Sequence, residues 1–230
     1  MTPGHIDRGV GRTVFGADSA GYHAARLAYP DELYAQVLTS DRPPSLRTIL
    51  EVGAGTGLAT ARLAAAADRL VAIEPDPMLA EYLRRTLAGH TVEIVQADFV
   101  SAEIADTFDL VAAASSFHWL DAGAALPKIR ALLKPGGRIA LWWNVYRQPG
   151  IGDRFADATM DLLKGLDLPP SESMQGHYSL DADLHRRQLQ AAGFEDVDHH
   201  VYRRERQLSA DDAKALYASY SFVRALPEHR

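Results

Sequence analysis

Residues 51–57 read Glu51-Val52-Gly53-Ala54-Gly55-Thr56-Gly57, between an apolar run at 48–52 and an alanine-rich stretch at 58–67. Glycine at alternate positions lets a backbone turn sharply and lets a ligand approach it closely. A strand that ends in such a loop and resumes as a helix opens a unit of a parallel, helix-flanked sheet. In open sheets of that kind, ligands sit beyond the carboxyl ends of the strands, where this loop falls.

The middle of the chain keeps the same rhythm. Further strands are predicted over 70–73, 92–95, 108–114 and 138–146, with helices between them. Asp76 and Pro77 form the N-cap and first position of one helix. Leu79, Leu83 and Leu87 give it an apolar stripe, and Glu81 is spaced to pair with Arg85. The helix after the fourth strand runs to about 133, and Pro127 either opens it or kinks it. Lys134-Pro135-Gly136-Gly137 reads as a turn.

Beyond 146 the pattern changes. A helix over 154–163 and a loop rich in Pro, Ser and Gly read as an insertion over the sheet, spanning 147–180. A helix from 181 ends at Gly193, a suitable C′ residue. Segments 194–199 and 201–208 read as two more strands, joined tightly and therefore antiparallel. Ser209-Ala210-Asp211-Asp212 resembles a capping box, opening a helix lined by Leu216, Tyr220 and Val223.

Composition removes several chemistries. The chain of 230 residues has no cysteine, so disulfides, thiolate zinc sites, thiol nucleophiles and cysteine-held iron–sulfur clusters are excluded. The net charge of −6 argues against non-specific nucleic-acid binding, which needs a basic face. No stretch approaches the roughly 20 apolar residues of a membrane span, and the start carries no apolar run like a secretory signal. A cytoplasmic protein is expected. Nothing distinguishes a monomer from a homodimer.

Three acids fall at three predicted strand ends. The glycine spacing is G-x-G-x-G rather than the dinucleotide G-x-G-x-x-G, and no Lys follows, which excludes a P-loop. Glu51, two residues before Gly53, is awkward for a pyrophosphate and suits a ligand bearing an ammonium group. Glu74 ends the second strand, where a carboxylate can accept hydrogen bonds from both hydroxyls of a ribose. Asp98, in Gln96-Ala97-Asp98-Phe99, could accept the exocyclic amine of adenine with Phe99 packed near the base. Each of the three also has an ordinary structural reading, as a turn, a strand-end charge or a loop cap.

Together these segments resemble the class I S-adenosylmethionine-dependent methyltransferases. Glu51 to Gly57 resembles the first motif of the family, and Ala72-Ile73-Glu74-Pro75-Asp76 the second. Gln96 to Phe99 is similar to the adenine-contacting segment. Phe108-Asp109-Leu110-Val111, followed by Ser115-Ser116-Phe117-His118-Trp119, is similar to the fourth strand and its loop. Leu132-Leu133-Lys134-Pro135-Gly136-Gly137-Arg138 resembles the turn before the fifth strand. The resemblance covers about residues 15–146 well and the remainder more loosely. It implies an α/β Rossmann-like sheet of seven strands, mostly parallel with helices on both faces, and only the last strand antiparallel.

The resemblance also implies S-adenosylmethionine as cofactor and S-adenosylhomocysteine as its product. Gly53, Gly55 and Gly57 would meet the methionine half, Glu51 its ammonium group, Glu74 and Pro75 the ribose side, Asp98 and Phe99 the adenine. Ser115 would lie beside the cofactor. Tyr22-His23-x-x-Arg26-x-x-Tyr29-Pro30 resembles the segment that folds over the cofactor in a small-molecule branch, which includes trans-aconitate, quinone-tailoring and polyketide-tailoring members. Tyr22 and Arg26 would then meet its carboxylate. The implied organisation is one domain over 1–230: a cofactor-covering segment at 1–46, a core at 47–146, a substrate-side insertion at 147–180, and C-terminal strands with a shortened helix at 181–230.

The expected chemistry is methyl transfer to a small-molecule acceptor, with no metal and no nucleic-acid partner. His118 is the candidate base or hydrogen-bond donor, and Trp119 packs on the acceptor or the cofactor; both also suit a role in shaping the loop. Strand alternation sends Trp142 and Trp143 to opposite faces. Competing readings are a nicotinamide-dependent oxidoreductase, a non-catalytic cofactor-binding module, and an RNA or protein methyltransferase.

Overall fold

The structure is a computed structural model that describes residues 18–39, 48–146, 157, 159 and 178–224, with the side chains of 221 and 222 left out. In chain order it runs α1 (Ser19–Ala25), α2 (Asp31–Leu38), β1 (Thr48–Val52), α3 (Thr60–Ala64), β2 (Arg69–Ile73), α4 (Pro77–Thr86), β3 (Val92–Val95) and β4 (Phe108–Ala114). There follow a 3₁₀ turn (Phe117–Trp119), α5 (Ala122–Leu132), β5 (Leu133–Trp142), a second 3₁₀ turn (Tyr178–Leu180), α6 (Ala182–Ala191), α7 (Ala210–Ala218) and α8 (Ser221–Arg224). The sheet order is β3-β2-β1-β4-β5, and every pairing is parallel. The chain winds outward from β1 to β3 on one side and from β4 to β5 on the other. The strand order therefore reverses between β1 and β4, where the carboxyl ends leave a crevice.

The central strands β1, β2 and β4 are mostly apolar and buried because both faces are covered. Leu50, Val52, Val71, Ile73, Val111 and Ala113 turn one way, against Leu126, Ile129 and Leu132 of α5 and Leu189 of α6. Ile49, Leu70, Leu110 and Ala112 turn the other way, against Leu33 and Tyr34 of α2 and Leu63 of α3. Ala72 joins that second face beneath Leu83 of α4 and the nearby Leu87. Trp142 is buried on the α2 face and Trp143 packs on the α5 face, the split that alternation dictates.

Local capping agrees with the chain's chemistry. Asp76 accepts from the N–H groups of Met78 and Leu79 at 2.8 and 3.1 Å and starts α4 with Pro77 at its head. Ser209 accepts from the Asp212 N–H at 3.1 Å and donates to the Asp212 carboxylate at 2.7 Å. Gly193, at φ +81°, ends α6 as its C′ residue.

Several expectations change. The predicted helix at 58–67 shortens to α3, with turns on both sides. Glu81 pairs with Arg84 at 3.6 Å, one residue short of Arg85, because i+3 shares the helix face as i+4 does. Pro127 lies inside α5 rather than opening it. Lys134-Pro135-Gly136-Gly137 does not precede β5 but interrupts it: Leu133 pairs with Phe108 and Arg138 with Leu110, so the turn is an excursion within the ladder. The helix predicted over 154–163 lies outside the described residues apart from 157 and 159, which are helical.

The sheet has five strands among the described residues, not seven, and none is antiparallel. Segments 194–199 and 201–208 form no ladder. Asp196 sits at φ +52°, which breaks the first as an extended run. The second is Val201-Tyr202-Arg203-Arg204-Glu205-Arg206-Gln207-Leu208, whose apolar side chains stay exposed, Val201 at 58%. With no face to bury, it has nothing to hold it against the sheet. Among the described residues no helix is long and apolar enough to cross a membrane.

Candidate functional site

A cleft open to solvent lies over the carboxyl ends of β1, β2 and β4. Tyr22, Glu51, Gly53, Gly55, Glu74, Pro75, Asp98, Phe99, Ser115 and Trp119 all line it. Of the residues singled out in the sequence, only Gly57, Arg26 and His118 lie outside its walls.

The glycine loop builds the floor. The Gly53 and Ala54 N–H groups both donate to the Ile73 carbonyl, at 2.8 and 3.1 Å, which bends the chain across the end of β2. Gly53 has φ +71°, and a Cβ there would meet Ser116 Cβ at 2.5 Å. Gly55 has φ +60°, and a Cβ there would meet nothing within 4 Å, so its bare backbone faces open space. Gly57 serves packing instead, since its Cβ would meet Leu83 Cδ1 at 2.7 Å.

Glu74 ties the loop to β2. Its Oε2 accepts from the Gly55 N–H at 2.7 Å and its Oε1 from the Asp76 N–H at 2.9 Å. The carboxylate is only 4% exposed, and it is held where a ligand in the cleft would meet it. Asp98 caps its own loop, accepting from the Val100 and Ser101 N–H groups at 2.9 and 3.3 Å. Phe99 is buried in the core beneath it, with the Lys128 ammonium 5.1 Å from its ring centre.

Glu51 is the anomalous acid. It is 1% exposed, and among the described residues no hydrogen bond reaches either carboxylate oxygen. Burial pushes its carboxyl up to about 8, and the nearby Glu74 carboxylate adds to that shift. The Thr60 and Thr56 hydroxyls beneath the loop are also buried without a hydrogen-bond partner among the described residues. A carboxylate in this state is costly unless a donor or a cation meets it.

The N-terminal segment closes one side. The Tyr29 hydroxyl donates to Ser115 Oγ at 3.0 Å, and the Asn144 amide donates to the Leu27 carbonyl at 2.6 Å. Ser115 holds φ +52°, a strained conformation for a side chain of its kind, at the point where β4 enters the cleft. Burial raises the Tyr29 hydroxyl above its ordinary range, so it stays a donor. Tyr29 was not picked out from sequence as a site residue; the only signal was the Tyr-Pro pair ahead of α2. Burial also raises the Tyr22 hydroxyl, against the opposing charge of Arg26. Arg26 stands behind Tyr22 rather than in the cleft. Its guanidinium lies 4.9, 5.8 and 5.2 Å from the ring centres of Tyr22, Tyr146 and Tyr220 and donates to the Ser219 carbonyl at 2.7 Å.

An aromatic rim borders the opposite side. His118 follows the cleft-lining Ser116, and its ring lies 4.7 Å from that of Trp119. Its Nδ1 accepts from the Trp143 indole N–H at 3.1 Å. Trp143 in turn stacks on His185 at 5.0 Å and meets Tyr178 edge-on at 6.0 Å. Burial lowers the His185 imidazole, despite an opposing hydrogen bond to the Tyr178 carbonyl.

Comparison with known proteins finds similarity to methyltransferases. Residues 49–137 match the family model described as a methyltransferase domain. An uncharacterized methyltransferase of Mycobacterium tuberculosis is 33% identical over 130 residues, which are 56% of this chain and 51% of the relative. The match thus spans about half the length of that relative. An uncharacterized methyltransferase of Schizosaccharomyces pombe is 26% identical over 219 residues, 95% of this chain and 82% of the relative. Among solved structures, an S-adenosylmethionine-bound amino pentose methyltransferase from Micromonospora echinaspora is 26% identical, covering 57% of this chain and 58% of that one, with a TM-score of 0.48.

Proposed function

We propose that this chain, whose residues 49–137 match the methyltransferase-domain family model, binds S-adenosylmethionine in the cleft and transfers its methyl group to a small-molecule acceptor. The product would be S-adenosylhomocysteine. The observation that carries the reading is Glu51, a buried carboxylate in the cleft wall with no hydrogen bond to either oxygen among the described residues. A ligand with an ammonium group supplies the missing partner, and S-adenosylmethionine has one.

The other residues fit the same ligand. Gly55 leaves bare backbone where the methionine half would lie. Glu74 holds an oriented carboxylate for the ribose hydroxyls. Asp98, with Pro75 and Phe99, borders the adenine end. Ser115 and Tyr22 face the methionine end, with Arg26 behind Tyr22 as the nearest cation for its carboxylate. His118 and Trp119 stand toward the acceptor. The bound cofactor supplies an activated methyl group. What the protein's residues do is bind, align the acceptor for in-line attack and exclude water. The chain is one domain in this reading, and its net charge of −6 suits a small acceptor better than a nucleic acid.

The test is transfer of isotopically labelled methyl from S-adenosylmethionine to three separate pools: small metabolites, RNA and protein. Label entering the small-molecule pool is the expected result. Label entering only RNA or protein would replace the acceptor class, and cofactor binding without any transfer would favour a non-catalytic module.

A further inference from the structure

Resting on the proposed S-adenosylmethionine site, we infer that Lys128 is the positioning residue for the adenine end of the cleft: its ammonium holds the turn over 98–102 from which Asp98 and Phe99 line that cleft. The turn closes on itself with few bonds. The Ala102 N–H donates to the Asp98 carbonyl at 2.9 Å, and the Ser101 hydroxyl to the same carbonyl at 3.3 Å. The Asp98 carboxylate caps the start of the turn, accepting from the Val100 and Ser101 N–H groups. A single turn has no following turn to donate to its last carbonyls. Those of Val100 and Ala102 accept from the Lys128 ammonium instead, the first at 3.1 Å. The same ammonium stands 5.1 Å from the centre of the Phe99 ring.

The base from which Lys128 reaches is rigid. Ala125, Ile129 and Leu132 of α5 are buried against the sheet, and Lys128 stands half-buried beside that stripe. Among the described residues its ammonium forms no ion pair. Its charge is directed to two carbonyls and one aromatic ring, all in the turn. Hydrogen bonds from a charged donor are the stronger kind, so this one side chain outweighs the neutral bonds within the turn.

Removing the charge at Lys128 leaves the Val100 and Ala102 carbonyls without that donor and the Phe99 ring without its cation. The turn then loosens, and the cleft-lining groups it carries lose their fixed placement against a base. The other end of the cleft is held separately. Glu74 fixes the glycine loop through the Gly55 N–H, and Tyr29 donates to Ser115. Lys128 takes part in neither contact, so its loss should be felt at the base and not at the ribose or methionine half.

The test is calorimetric titration of the full chain with S-adenosylhomocysteine and with S-inosylhomocysteine, which carries a keto oxygen in place of the adenine amine. The unaltered protein should bind S-adenosylhomocysteine about tenfold tighter or more. Lys128→Met keeps the length of the side chain and removes its charge and its donors. It should weaken S-adenosylhomocysteine by about tenfold and bring the two ligands within about threefold of each other. Lys128→Arg still donates to carbonyls and lies well over a ring, so it should restore most of the discrimination. Unchanged affinities in Lys128→Met, or an equal fold-loss for both ligands, would overturn the inference, because a general loosening of the fold does not tell the bases apart. Equal binding of both ligands by the unaltered protein would overturn it too, since no base edge is then read at the turn. If S-adenosylhomocysteine fails to bind the unaltered protein, the methyltransferase reading itself falls. If it binds there and equally well to Lys128→Met, only the role of Lys128 falls.

Discussion

The Gly55 N–H donates to Glu74 Oε2 at 2.7 Å, so the loop after β1 and the acid at the end of β2 are one unit. Removing the acid frees two backbone N–H groups, those of Gly55 and Asp76. Glu74→Ala should therefore cost stability, roughly 1–3 kcal/mol by thermal or denaturant unfolding. In the proposed site it should also weaken S-adenosylhomocysteine binding by about tenfold or more, because the ribose would lose its acceptor. Unchanged affinity by calorimetry would remove Glu74 from the site.

Glu51 gives a pH signature. Its carboxyl is raised to about 8 in the folded protein by burial, well above the ordinary carboxylate value of 4.5. A group raised on folding favours the folded state below its unfolded value, and that contribution is lost as pH climbs through the folded value. The free protein should lose stability from this group between about pH 5 and pH 9, and Glu51→Gln should flatten that loss in thermal melts. A ligand ammonium group would draw the carboxyl back down. Binding of S-adenosylhomocysteine near neutral pH should then release a proton, seen as a dependence of binding heat on the buffer's ionisation heat. Glu51→Gln should abolish that dependence.

The two cleft-lining glycines should separate in mutagenesis. Gly53→Ala drives a methyl to 2.5 Å from Ser116 Cβ at φ +71°, so it should mainly destabilise the fold. Gly55→Ala meets nothing within 4 Å and bears only the cost of its φ of +60°, about 1 kcal/mol. Its methyl stands in the cleft instead. Melting temperature should fall more for Gly53→Ala, and ligand affinity should be impaired beyond its stability change for Gly55→Ala.

Tyr29→Phe leaves Ser115 Oγ without its donor while keeping the ring's edge contact with Trp142, at 5.9 Å. The expected loss of stability is about 1 kcal/mol, with weaker S-adenosylhomocysteine binding because the strained Ser115 is no longer pinned. Equal binding in both proteins would leave the pair a structural contact only.

Local chemistry was the legible part. β1 to β4, the Asp76 and Ser209 caps and the split of Trp142 from Trp143 depend on near neighbours and on periodicity. The cleft acids were legible too, because strand ends in a parallel sheet converge whatever surrounds them. Long-range partners were not. The hydrogen bond from Tyr29 to Ser115 joins the N-terminal segment to β4. The tyrosine cage of Arg26 draws on residues as distant as Tyr146 and Tyr220. That His118 meets Trp143 depends on the register of β4 against β5. Segments 194–199 and 201–208 misled because a run of strand-forming residues specifies a strand only where a sheet edge and a buried face receive it. The long excursion in β5 misled for the opposite reason: a turn signal was real, but the ladder continued past it.

Binding of S-adenosylhomocysteine to the full chain, measured by isothermal calorimetry beside NAD under identical conditions, tests the central claim most directly. One equivalent of S-adenosylhomocysteine should bind and NAD should give no heat of binding. Saturable binding of NAD with none of S-adenosylhomocysteine would contradict it.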